Sequence, residues 1–438
     1  MKPRAHGFWR GIVAMALLGL ATPALAQTKI TLWHAMGGAR NEAIAKGIAE
    51  AFGKTHAGAV LEPVYAGSYA DVLTKAIAAI RAGDPPHIVQ VYEVGTQSML
   101  DSGAIVPVTD LIKPGEVDWN DYFAPILNYY SVGGQLHSMP FNSSTAILYY
   151  NKDVFQKAGL DPNRAPATYQ DVEEMGRRIV KSGAARAAIT FGWPAWMLEQ
   201  AFAYHNQLYA DRDNGRAGRA TRVLFNQTFG VEVLTRWKQW AEEKLLMYGG
   251  REYAPNKAFL SGEVAMLLQS TSQVTTIEKA AKFAVGTGYL PRIEGKPRGK
   301  SVIGGASLWV LRGKGRSPQE LDAIAKFFKF IAAPDQTIQW HKDTGYFPAT
   351  LTAEKRLRAE GWFQQHPNHE TAFKQIQEGP DTPATRGVLL GNFVQIRNIT
   401  DTAIEKALSG RLSPQAALDE GAQAANKVLE EYAATAGK

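Results

Sequence analysis

Two α/β lobes are what this chain predicts, and three observations carry the prediction. Short β-type runs alternate with helix-period segments from Lys29 to Tyr92, the alternation resumes after Ser144, and the length exceeds what one hydrophobic core supports. Chains beyond ~250–300 residues divide, because a single core stops growing at that size. With 438 residues, 45% of them apolar, and no low-complexity tract, both lobes have the material to pack well.

The elements follow in order. Lys29-Ile30-Thr31-Leu32-Trp33 is the first β-type run, followed by a small-residue turn and a helical pattern from Asn41 to Phe52. Val60 to Tyr65 is again strand-like, and Ser68 opens a helix with Tyr69, Val72, Leu73, Ile77 and Ile80 at spacings of three and four. His87 to Tyr92 is a third strand, with a helix beginning near Val94. This alternation describes a doubly wound lobe. Ligands bind such lobes outside the carboxyl ends of the strands, which places Trp33, Tyr65 and Glu93 near a cleft. In the second stretch Ile147 to Tyr150 leads into a helix near Asp153, Ala187 to Phe191 ends at Gly192, and Val264 to Gln269 ends at Ser270. From Pro318 helices dominate, among them Leu321 to Ala332 and Pro414 to Tyr432. No linker is rich in Pro, Gly or Ser, so several short crossings must join the lobes.

The N-terminus reads as an export signal. Lys2, Arg4 and Arg10 precede an apolar stretch, Ile12 to Leu20, and Ala24-Leu25-Ala26 is a small-x-small site cut after Ala26. The apolar run is shorter than the ~20 residues of a spanning helix. Removing the signal lowers the formal charge from +7 to +4, a small and scattered excess that argues against a nucleic-acid partner. The chain has no cysteine, which excludes disulfides and a thiol-linked lipid anchor. A freely diffusing periplasmic protein is expected.

Several segments carry polar chemistry. Met139 to Asn151 reads MPFNSSTAILYYN, which holds the hydroxyls of Ser143, Ser144 and Thr145 at the mouth of a strand, where a small anion or polyol can be gripped. Glu93 stands at a strand's carboxyl end, where it either accepts from two ligand hydroxyls or caps the following helix. Trp193 and Trp196, three apart around Pro194, are equally suited to stacking on a polyol and to a core. Arg397, in Gln395-Ile396-Arg397-Asn398, lies on an apolar face and needs an anionic partner, either a protein carboxylate or a phosphate. The residues alone favour the carboxylate. Gly304-Gly305, after the β-type Val302-Ile303, permits either a chain reversal or close backbone approach to an oxyanion.

Other motifs fail. His366 and His369 are three apart, but Pro367 prevents a regular helix from aligning them and no third ligand cluster accompanies them in the sequence. Gly305-Ala306-Ser307-Leu308 lacks the closing glycine of a nucleophile elbow. No phosphate-binding P-loop or dinucleotide fingerprint is present.

Trp33-His34, Gly67-Ser68-Tyr69, Gln90-Val91-Tyr92-Glu93-Val94-Gly95, Pro140 to Thr145, Gly304 to Trp309, Thr344-Gly345-Tyr346, Leu390-Gly391-Asn392 and Gln395-Ile396-Arg397 occur in one order along nearly the whole chain. In these the chain resembles the sn-glycerol-3-phosphate-binding proteins of bacterial ABC importers, within the maltose-binding-protein-like extracellular solute-binding proteins. The resemblance implies a two-lobed periplasmic binding protein of type II, each lobe a doubly wound mixed sheet, with the cleft between them. It implies an N-terminal lobe at 27–140, a C-terminal lobe at 141–303, a return to the first lobe at 304–346, and a mainly helical completion of the second at 347–438. The crossings would lie near Pro140 to Thr145, Ile303 to Ala306 and Gly345 to Pro348. Tyr69, Glu93, Ser144, Trp193, Trp196, Ser270, Gly305, Tyr346 and Arg397 would contact the ligand. Arg397 and the hydroxyls would take the phosphate, and Glu93 and the tryptophans the glycerol. The ligand would be sn-glycerol 3-phosphate, with its phosphodiesters as further candidates. The expected partner is a membrane ABC complex of two permease subunits plus ATPase, served by a monomer without cofactor or metal. A sugar-binding receptor and a secreted hydrolase using Glu93 are the alternatives, and the hydrolase lacks a visible second catalytic group. The sequence departs from the family around Ser270, where Leu267-Leu268-Gln269 is bulkier than its small-residue run, and from Asn206 to Asn226.

Overall fold

In a computed structural model that describes Met1 and residues 27–436, ten strands build two mixed sheets. The expected export signal lies outside the described residues. The strands are β1 (Thr28–His34), β2 (Ala59–Tyr65), β3 (Ile88–Tyr92), β4 (Ile105–Val106), β5 (Met139–Ser144), β6 (Ala146–Asn151), β7 (Ala187–Phe191), β8 (Val264–Ser270), β9 (Val285–Gly288) and β10 (Gly304–Leu311). The first sheet runs β2-β1-β3-β10-β4, with β5 also on β10, and the second runs β9-β6-β8-β7. β1 is parallel to β2 and β3, and β8 to β7, while β10 is antiparallel to its neighbours and β6 to both β8 and β9. A separate hairpin pairs Ser131–Val132 with Gln135–Leu136.

Strands β3, β5, β6, β7 and β8 are buried on both faces, which explains their near-continuous apolar runs, whereas β1 and β2 are partly exposed. Val89 and Val91 point into one core with Leu148 and Leu268, and Ile88 points into the other with Tyr149 and Leu267. Helices supply the covering layers. Tyr69–Ala82 forms because Ser68 and Asp71 make a reciprocal capping box, Gly83 closes the helix in the left-handed region, and Val72, Leu73 and Ala76 share the buried face. Burying Val72 and Leu73 contributes ~1.5–3 kcal/mol each, and losing the Ser68 cap costs ~0.5–2 kcal/mol. The cap also fixes where the helix begins, and Tyr69 is its first residue.

Two expectations change. The segment expected to turn helical near Val94 opens as a 3-10 turn, Glu93–Gly95, before helix Thr96–Asp101, and Gly95 packs so closely that a Cβ there would lie 2.3 Å from Val91 Cγ1. The strand at the glycine pair starts at Gly304 instead of ending before it. Gly304 and Gly305 pair with Ser144 and Ser143. Gly305 has φ +87°, and a Cβ on it would meet the Asn142 carbonyl oxygen at 1.9 Å, so no larger residue fits.

Only Thr145 separates β5 in the first sheet from β6 in the second. Its hydroxyl donates to the Val302 carbonyl at 2.8 Å, and the Gln200 side-chain amide holds Val302 by both its carbonyl and its N–H. Phe347 N–H donates to the Ser143 carbonyl at 2.9 Å. Three chain segments thus lie side by side where the sheets meet.

Candidate functional site

At that meeting point the carboxyl ends of β3, β5 and β8, the start of β10 and the N-terminus of helix Pro194–Tyr204 converge on one narrow cavity. All nine residues expected at the ligand, Tyr69, Glu93, Ser144, Trp193, Trp196, Ser270, Gly305, Tyr346 and Arg397, line it. Tyr92, Tyr253 and Gly304 complete the lining. Of the three residues placed near the cleft by strand position, Tyr65 lines the wider outer mouth and Glu93 the inner cavity, whereas Trp33 packs against the core.

The floor is ionic. Arg397, on helix Phe393–Leu408, directs Nε and Nη2 at the two carboxylate oxygens of Glu199, each at 2.7 Å, and Nη2 also stands 2.8 Å from Glu93 Oε1. The protein carboxylate that the residues alone favoured is therefore present, in duplicate. Glu93 is not the helix cap that the sequence allowed, because its side chain turns to Arg397 and the following turn has no side-chain cap. Burial pushes the Glu93 carboxyl above the usual range, against the pull of Arg397. Burial also works to lower the Arg397 pKa, but the neighbouring Glu199 and Glu93 outweigh it and hold the guanidinium well above its ordinary value. Of the five guanidinium N–H groups, those on Nη1 have no hydrogen-bond acceptor among the described residues.

The walls are aromatic and hydroxylic. Tyr69 stacks on Tyr92 at 5.1 Å with planes 6° apart, and a chain of buried amides fixes it: Ala35 N–H to Gln90 Oε1, Gln90 Nε2 to Asn142 Oδ1, and Asn142 Nδ2 to Tyr69 Oη. Burial, with Tyr346 and Tyr253 close by, raises the Tyr69 phenol well above its usual pKa, so it remains an O–H donor at neutral pH. Trp193 caps its helix in the left-handed region (φ 53°) and meets Tyr253 edge-on at 5.3 Å. Trp196 is 5% exposed, yet its Nε1–H has no partner among the described residues. A Cβ on Gly304 would lie 2.4 Å from Trp196 Cζ2, so the glycine makes room for the indole. Ser270 Oγ accepts from the Ser272 N–H and hydroxyl, and Tyr346 stacks on Trp340 at 5.7 Å.

The bulky departure beside Ser270 does not intrude. Leu267 and Leu268 enter the two cores, and Gln269 Nε2 donates to the Glu252 carbonyl and to Asn256 Oδ1, anchoring the loop that presents Tyr253. Sequence reasoning missed that tyrosine, since its loop has no period to register it. It also missed Glu199, although a lone carboxylate in the apolar run Pro194-Ala195-Trp196-Met197-Leu198 was a readable signal. Tyr92 was accessible to the strand-end rule that found Glu93.

The wider mouth shares Tyr69, Tyr92, Trp193, Tyr253, Tyr346 and Arg397 with the inner cavity and adds charged residues, including Arg251, the exposed Glu252 and the mostly buried Asp401. Asp401 Oδ1 accepts from the Ala195 N–H at 2.7 Å, and burial pushes its carboxyl up to about 6.

Residues 47–371 match the bacterial extracellular solute-binding proteins as a family. The sn-glycerol-3-phosphate-binding periplasmic protein UgpB of Escherichia coli strain K12 is 36% identical over 440 residues, 99% of each chain. That of Pectobacterium atrosepticum is 35% identical over 437 residues, 98% of this chain and 97% of its own. Among solved structures, UgpB from Mycobacterium tuberculosis in complex with glycerophosphocholine superposes with TM-score 0.78 at 20% identity, covering 93% of this chain and 99% of that one. The cyclic α-maltosyl-1,6-maltose binding protein of Arthrobacter globiformis superposes with TM-score 0.75 at 21% identity, covering 93% and 100%. These superpositions establish the two-lobed binding-protein fold.

Proposed function

The chain belongs to the bacterial extracellular solute-binding proteins, and from that premise we propose that it is the receptor that captures sn-glycerol 3-phosphate for an ABC importer. One observation carries the reading: a cavity floored by Arg397, whose Nη1 has no acceptor among the described residues, and walled by hydroxyls and by an indole N–H without a protein partner. The phosphate meets Arg397 Nη1 and the hydroxyls of Ser144, Ser270, Tyr69 and Tyr346, with the Gly305 backbone close by. Charge-assisted bonds of this kind are about twice as strong as neutral ones. Glu93 keeps Oε2 for the glycerol hydroxyls and repels the phosphate toward the far end, which sets the ligand's direction. Trp193 and Trp196 enclose the carbon backbone, and Trp196 donates to a ligand oxygen.

The mouth gives a second ligand class. Because it continues the inner cavity past Arg397, a glycerophosphodiester can place its glycerol phosphate inside and its second alcohol outside. Lobes comprising residues 27–140 with 304–346, and 141–303 with 347–438, close over the ligand by bending at the three crossings, which buries the charge and forms the surface the permease reads. Export by a signal cleaved after Ala26 delivers a monomer to the periplasm, where it serves two permease subunits and their ATPase. It acts as a receptor and leaves its ligand chemically unchanged.

Calorimetric titration with sn-glycerol 3-phosphate, glycerophosphocholine, inorganic phosphate and maltose tests this. The first two should bind and be recovered intact, and maltose should not bind, since a site of buried donors rejects ligands that leave them unmatched. Maltose binding without a response to sn-glycerol 3-phosphate would overturn the reading.

A further inference from the structure

Beyond the third crossing the fold assembles three metal-ligating side chains that the sequence keeps apart. Glu278 is on helix Val274–Ala280, His366 caps the 3-10 turn Pro367–His369, and His369 ends it. Pro367 does prevent a regular α-helix, and the chain instead makes a single 3-10 turn that brings the two imidazoles to one side of helix Val274–Ala280. Their rings lie 5.8 Å apart. One ligand atom from each of the three residues falls within 4.8 Å of the other two. The third ligand that the sequence did not reveal is Glu278.

The geometry is that of a metal site. His369 Nε2 lies 3.3 Å from Glu278 Oε2. Two ligands bound at about 2.1 Å to one tetrahedral ion sit about 3.4 Å apart, so this edge already has the required length. Glu278 Oε1 accepts from Asn368 Nδ2 at 2.7 Å, and the same amide donates to the Val285 carbonyl, which orients the carboxylate from behind. His366 packs on Trp362 with ring centroids 3.8 Å apart, which holds its imidazole beside the Glu278–His369 pair. The His369 side chain is 3% exposed and its Nδ1 has no partner among the described residues. His341, with its ring 5.2 Å from that of His369, likewise has Nε2 buried without a partner while Nδ1 meets the Tyr346 carbonyl.

We propose that Glu278, His366 and His369 bind one divalent transition-metal ion of the zinc class, with water in the fourth position. Two imidazoles and one carboxylate suit a borderline ion and exclude calcium or magnesium, which take oxygen ligands. The ion braces the helix that follows Ser270 against the segment that follows Tyr346, and so ties together two strips of chain that reach the ligand cavity.

The test uses protein purified without a polyhistidine tag and stripped with EDTA. Zinc sulfate is titrated against a chromophoric chelator, calcium chloride is run in parallel, and cobalt substitution reports coordination number. One zinc per chain, no calcium response, the intense visible bands of four-coordinate cobalt, and a melting temperature that rises with zinc are expected. His366→Ala and Glu278→Gln should each weaken zinc binding at least tenfold and lose the thermal response. His366 is only partly buried, and a metal-free melting temperature near the parent's verifies that its variant folds. Absence of stoichiometric zinc binding, or parental zinc affinity in both variants, would overturn the proposal.

Discussion

The floor of the cleft and its mouth share six residues yet are built on opposite principles. In the inner cavity Arg397 is 9% exposed and held by two carboxylates, Tyr69 by a chain of amides, and Gly304 and Gly305 by contacts that no other residue satisfies. In the mouth Tyr65 is 48% exposed, and Arg251 meets Glu405 at the surface. A site arranged before its ligand arrives loses little freedom on binding and discriminates steeply, while a loose mouth accepts whatever extends outward. Fixed recognition of one end and tolerance at the other is the combination a receptor for a phosphate ester and its diesters requires.

The largest effect should come from breaking the floor. Arg397→Ala strands Glu93 and Glu199 in a buried site, which should cost the empty protein ~3–5 kcal/mol and abolish binding of sn-glycerol 3-phosphate. Adding Glu199→Gln should recover part of the stability and none of the affinity. Thermal melting and calorimetry on the two variants check both statements. An Arg397→Ala protein as stable as the parent would mean that the ion triad does not hold the floor.

The mouth should answer to pH instead. Asp401, near Arg251 and Glu405, has its carboxyl raised to about 6 in the folded chain, above the ordinary aspartate value of about 3.9. Between these values the folded state binds more protons than the unfolded one, so this group's contribution to stability is present at low pH and is lost as pH rises through about 6. Asp401→Asn keeps an oxygen for the Ala195 N–H but cannot titrate. Its stability should therefore gain on the parent's by on the order of 2–3 kcal/mol between pH 4 and 6. Parallel curves in urea melts across that range would show that Asp401 is not desolvated.

The strands and most helices were legible because period and punctuation are local: Val264–Ser270 and Pro414–Thr435 are evident from their own residues. All nine expected cavity residues stand together because each lies at a strand end, a helix start or a family motif. What could not be read depended on contacts across long separations. Glu199 is 198 positions from Arg397, Glu278 is 91 from His369, and nothing near Tyr253 marks it as a wall. Pro367 does exclude a regular helix between His366 and His369, and what the sequence left unread is that Glu278, far away in the chain, meets them.

The inner wall offers a smaller test. Gly304→Ala would put a methyl 2.4 Å from Trp196 Cζ2 and force the indole into the cavity. Extra bulk in a fitted pocket is worth ~1–3 kcal/mol, so affinity for sn-glycerol 3-phosphate should fall about fivefold or more. Parental affinity would mean that Trp196 can retreat and that the wall is as loose as the mouth.

The smallest expected effect separates a ligand wall from a core. Trp196→Phe keeps an aromatic ring and removes only the Nε1–H, which has no partner in the empty protein. If that N–H waits for a ligand oxygen, the empty variant forfeits no hydrogen bond, and a buried donor that lacked an acceptor is gone. Its melting temperature should then stay near the parent's, with the lost ring volume the only opposing effect. Affinity should nevertheless fall by one neutral hydrogen bond, ~0.5–1.5 kcal/mol, or about 2- to 12-fold in Kd. A core tryptophan predicts the reverse order, with stability falling through the smaller ring and binding unchanged in the folded fraction. Because the two readings assign the loss to different measurements, melting and titration of this one variant decide whether the indole belongs to the ligand or to the lobe.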